Sequence, residues 1–90
     1  MKVDFDELDK KVLELSFINK HQRNTAELNN TIEQLQLLRD NYFNEYGLPE
    51  EIYKLQEIIL NLKMFYKEAI GEDYIEEYKS LEQLMYNTKY

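Results

Sequence analysis

Few residues in this chain could do chemistry, and their spacing is the first thing to weigh. His21 is the only imidazole among 90 residues, and there is no cysteine. A metal site on a helix would need a second ligand one turn from His21. Phe17, Ile18, Asn24 and Thr25 occupy those positions instead. The Glu-x-x-His arrangement of di-iron bundles fails as well, because Ile18 stands where the glutamate belongs. Ser16 and Ser80 are the only serines, and neither lies in a glycine-flanked turn that would expose a nucleophile. Two glycines, Gly47 and Gly71, are too far apart to cradle a phosphate. Glu72, Asp73, Glu76 and Glu77 are the densest acids, but the segment expected to face them brings Lys20, His21 and Arg23 rather than further carboxylates for magnesium. The residues point to no enzyme, no cofactor and no metal.

Recognition chemistry is better supplied. Eighteen acids against eleven bases leave a formal charge of −7. The bases are scattered, so a direct grip on nucleic acid is disfavoured. The converse fits: carboxylates presented to a basic, nucleic-acid-binding type of protein surface. Asp4, Asp6, Glu7 and Asp9 form one acidic group, and Glu72, Asp73, Glu76 and Glu77 form another. Tyr74, Tyr78 and Tyr86 share the second region, and tyrosine is enriched where interfaces concentrate their energy. A plainer explanation stands beside this one. Lys, Asn, Ile, Tyr and Phe total 36 residues while Ala, Gly, Pro and Arg total 7, as an AT-rich genome would produce. On that account the tyrosines reflect codon usage and the acids a solvated face.

The elements that must position these residues are helical. Leu48, Ile52, Leu55, Ile59, Leu62, Tyr66 and Ala69 follow unbroken 4-3 spacing, which places them on one helical stripe. Pro49 suits a first helical position, and Glu50 and Glu51 complement the positive end of the helix dipole. Before it, Gly47 reads as a helix stop with Leu48 reaching back to Phe43. Leu28, Ile32, Leu35, Arg39, Tyr42 and Tyr46 form a second stripe; Phe5, Leu8, Val12 and Leu15 form a third. The register slips twice, in the polar run Asn19–Thr25 and at Gly71, after which Tyr74, Tyr78, Leu81 and Met85 resume it. No strand signal competes.

The two slips are almost equidistant from Gly47. The expected fold is therefore all-α: an antiparallel helical hairpin turning at Gly47–Pro49, with both arms kinked or broken near Asn24 and Gly71. Helices are expected at about 4–22, 25–46, 49–70 and 73–88 in a single domain, 1–90. A continuous arm of about 40 residues would span ~60 Å. Such a hairpin leaves Phe17, Leu37, Ile58 and Phe65 partly wet, so either the arms collapse into a compact three- or four-helix bundle or two hairpins pair as a dimeric bundle.

The longest aliphatic run, Ile58–Leu60, falls far short of the ~20 residues a membrane span requires. The first eleven residues carry acids where a secretion signal needs an apolar stretch. The expected location is the cytoplasm, of the producing cell or of a host if phage-encoded. The sequence thus leads to a non-enzymatic protein–protein interaction module, a small acidic inhibitor or adaptor of phage type that occupies a basic surface of a partner protein. The rival is a structural coiled-coil subunit that self-associates as a homodimer.

Overall fold

A computed structural model describes residues 4–46 and 50–87, and every regular element among them is helical. Helix α1 runs Phe5–Phe17, α2 Thr25–Tyr46, α3 Glu50–Ile70 and α4 Ile75–Asn87, with a short 3-10 turn at Lys20–Gln22. The expected turn at Gly47–Pro49, and with it the contact between Leu48 and Phe43, lies outside the described residues.

Local chemistry sets the helix ends. The Glu7 N–H donates to the Asp4 carboxylate at 3.1 Å, capping α1. Helix α1 then stops at Phe17 rather than continuing to 22, because no apolar residue follows Ile18 to hold the next turns against a core. Two asparagines organise the connector instead. Asn19 accepts from the His21 N–H at 2.9 Å, and Asn24 accepts from the Glu27 N–H at 3.1 Å to open α2.

At the far end of α3, Gly71 has φ +79°. The Gly71 N–H reaches the Glu68 carbonyl at 3.3 Å, and the Glu72 N–H reaches the Lys67 carbonyl at 2.8 Å. These two bonds form a Schellman motif that satisfies the last carbonyls of α3. Helix α4 begins at Ile75, two residues later than the sequence suggested. Asp73 accepts from the Ile75 N–H at 2.9 Å and so precedes the cap.

Helix α3 is the hub. Helices α1, α2 and α4 each pack on it, while among the described residues no Cα of one approaches another's within 8 Å. Leu28, Ile32 and Leu35 of α2 meet Leu55, Ile58, Ile59 and Leu62 of α3 in the main core. Phe5, Leu8, Val12 and Leu15 of α1 close it from a third side. Ile58 is consequently buried rather than wet. Arg39 donates to Gln56 near one end of the α2–α3 pair and Arg23 to Glu68 near the other, so these helices run antiparallel. Helix α1 runs back along α2: Lys11 lies 3.9 Å from Glu27, and Asp9 lies 3.3 Å from Lys54.

The longest dimension is 38 Å, well below that of an extended arm. The polar segment 18–24 therefore reverses the chain rather than bending a single arm. Leu60 is a second departure. It is buried but lies about 200° around α3 from Leu62 at 100° per residue, so it belongs to an opposite stripe. Lys67, seven residues further along the same stripe, pairs with Glu77, so α4 lies on that side of α3.

Candidate functional site

The acidic candidates fall into two groups that the fold keeps apart. Asp4, Asp6, Glu7 and Asp9 are exposed along the start of α1, and Asp9 is already paired with Lys54 near the beginning of α3. Glu72, Asp73 and Glu76 are exposed beyond the other end of α3. The part of α3 from Lys54 to its end at Ile70 separates the groups by roughly 24 Å at 1.5 Å per residue. They do not form one patch.

Glu77 does not belong to the exposed set. Its carboxylate receives the Lys67 ammonium at 2.8 Å, and its side chain is only 14% exposed. The Lys67 hydrogen bond lowers the Glu77 pKa below its ordinary value, against the opposing effect of burial. The same bond raises that of Lys67. One Glu77 oxygen, Oε1, is buried without a hydrogen-bond partner. This pair fastens α4 to α3 and leaves Glu77 little to offer a visitor.

The expected meeting of Lys20, His21 and Arg23 with the 72–77 acids also takes another form. Lys20 and His21 are exposed. Arg23 turns into the molecule, with its side chain 5% exposed, and donates to Glu68 at 2.7 Å and to the Phe65 carbonyl at 3.2 Å. Its guanidinium lies 4.8 Å from the centre of the Phe65 ring. The reason is the early end of α1: the connector brings Arg23 to the last turns of α3, where the helix dipole favours a cation.

The partly buried residues here are Tyr74, just before α4, and Glu77, Leu81 and Leu84 on it. Tyr78 and Met85, placed in the seam by the sequence, are instead 55% exposed, and Tyr86 is 79% exposed. Ile75 joins them at 56%, although its spacing did not single it out. Glu76 and Glu82 are exposed on the same helix and Glu72 and Asp73 just ahead of it, with Glu82 between Tyr78 and Met85 and Glu76 around the helix from them.

A groove between α1 and α2 was not anticipated from the sequence. Its upper part has a volume of about 280 Å³ over Leu15, Ile18, Leu28 and Leu62, with Arg23 on its wall. Its lower part continues past Leu8, Leu35 and Leu38. The groove exists because both helices pack on α3 and not on each other. Chemically it offers an apolar floor with a mixed polar rim.

Among the described residues no group of three His, Asp or Glu side chains could hold a metal ion, and no helix is long and apolar enough to cross a membrane. No protein-family model matches this chain, and no curated protein or solved structure matches it.

Proposed function

We propose that this chain is a non-enzymatic interaction module, an acidic inhibitor or adaptor that occupies a basic, nucleic-acid-binding type of surface on a partner protein in the cytoplasm. The observation that carries the reading is the outer side of α4, where Ile75, Tyr78 and Tyr86 are exposed beside Glu72, Asp73, Glu76 and Glu82. Apolar anchors within a carboxylate field suit a partner that offers lysine or arginine around apolar recesses. The formal charge of −7 would also speed encounter with such a partner and slow encounter with nucleic acid.

In this reading the working unit is an antiparallel hairpin of α2 and α3, closed at Gly47–Pro49 and flanked by the folded-back α1 and α4. The small size, acidity and AT-rich usage accord with a phage-type inhibitor. A pull-down from lysate at low and high salt tests it. The expected result is capture of a basic protein that is lost as salt rises, since exposed ion pairs are screened. Salt-insensitive capture, or capture of none, would overturn it.

A second reading, a self-associating structural subunit, draws on Phe17 at 81% exposure and Leu37 at 65%. Light scattering that finds a salt-resistant dimer would favour it.

A further inference from the structure

We propose that the groove between α1 and α2 is the surface through which this chain pairs with a second copy, each copy inserting Leu37 into the upper recess of the other. The proposal rests on the self-associating reading above and names its surface. Shape carries it first. Leu37 lines the lower part of the groove, yet it is 65% exposed, so its side chain projects from the wall instead of filling the floor. The upper part is the converse, an open recess of about 280 Å³ over Leu15, Leu28 and Leu62. Leu37 does not reach the recess of its own chain, because nine residues of α2 put it about 13.5 Å from Leu28. A two-fold axis lying across the groove, midway between the two, sets the α2 helices antiparallel and seats each Leu37 in the other copy's recess. A knob at one end and a hole at the other make the face complementary to itself, as a two-fold contact requires.

Charge agrees with that occupant. The charged residues lining the groove are Lys11, Glu14, Arg23 and Glu27, two bases and two acids, so the groove itself is neutral. Of the 18 acids and 11 bases, 16 and 9 remain elsewhere, and the whole formal charge of −7 lies outside it. Lys11 is already matched by Glu27 at 3.9 Å, and Arg23 by Glu68 at 2.7 Å. A strongly basic or strongly acidic partner finds no complement here. A second acidic copy meets this face without bringing the bulk of its carboxylates together. Among the described residues α4 packs on α3 alone, so pairing through the groove leaves the outer side of α4 free.

Sedimentation equilibrium of the full chain over a concentration series, at low and high salt, tests the proposal. A monomer–dimer equilibrium is expected, and salt should strengthen it by screening the repulsion between two chains of −7. Across a two-fold axis each substitution counts twice. Leu37→Ser should therefore weaken the dimer about a hundredfold, the equivalent of ~2.8 kcal/mol, while Tyr78→Ser on α4 should leave it unchanged. Both side chains are more than half exposed, and an unchanged circular dichroism spectrum will show that each variant folds. A mixture of isotope-labelled and unlabelled chains should give cross-chain methyl contacts from Leu37 to Leu15 and Leu28. A dimer that survives Leu37→Ser, or that lacks those contacts, would overturn the groove while leaving self-association standing. Loss of the dimer on Tyr78→Ser would count against the groove in favour of α4. Dissolution by salt would rule out a neutral, apolar contact. A monomer at every concentration and salt would sink both this proposal and the reading beneath it.

Discussion

Single residues carry more of this structure than their number suggests. Gly71 has φ +79°, and a Cβ built there meets nothing within 4 Å. The cost of Gly71→Ala is therefore backbone strain without a clash, about 1–2 kcal/mol, and urea denaturation should show a loss where a helical glycine would give a gain. Arg23 is nearly buried, paired with Glu68 and stacked on Phe65, while its Nε has no hydrogen-bond partner. Glu68 retains 36% exposure, so water offsets part of what is lost with its partner. Arg23→Ala should cost about 2–3 kcal/mol, below the full value for a buried pair. Arg23→Lys should recover little, because an ammonium cannot serve the carboxylate, the Phe65 carbonyl and the ring together. The Lys67–Glu77 pair predicts a pH dependence. Glu77 titrates lower when folded than unfolded, so its contribution is full above the ordinary glutamate value and is lost as pH falls through the folded one. Lys67 titrates higher when folded, so its contribution is full below the ordinary lysine value and is lost as pH rises through the folded one. Glu77→Gln should flatten the acid limb of a stability-against-pH curve.

At the scale of elements, truncating Leu55, Ile59 or Leu62 to Ala should cost about 2–5 kcal/mol each by denaturant melting, since all three are essentially inaccessible. Leu60→Ala should also destabilise, because Leu60 is buried on the side of α3 that carries the Lys67–Glu77 pair. The first set was legible in the sequence because 4-3 spacing names one stripe without ambiguity. Leu60 was not, because a reading that assigns one buried stripe per helix leaves the opposite side to solvent, and α3 buries two. Helix α4 shows the same limit from the other direction. Tyr78 and Met85 are apolar enough to have filled its seam, and Glu77 enters it only because Lys67, ten residues earlier, provides a partner. The acids of the candidate surface were legible from composition, but their division between opposite ends of α3 required the path of α1. That path was hidden because a polar run such as Asn19–Thr25 reads alike whether the chain bends or reverses, and it contains no glycine or proline to decide.

For the whole molecule, the Cα radius of gyration is 13.2 Å, close to the roughly 12 Å that compact domains of this length show. Small-angle scattering of the full chain should return a value near this in dilute solution, and its circular dichroism spectrum should be rich in helix. A markedly larger radius would mean extended arms or association. The hub arrangement has one more consequence. Among the described residues helix α4 packs only on α3, so it can detach without disturbing the α1–α2 side of the core, whereas α3 cannot open without losing the packing of all three other helices. Amide hydrogen exchange should therefore divide into cooperative units. The amides of Leu81 and Leu84 should exchange through a partial opening whose dependence on denaturant is weaker than that of global unfolding, because it exposes less surface. Those of Ile59 and Leu62 should wait for global unfolding.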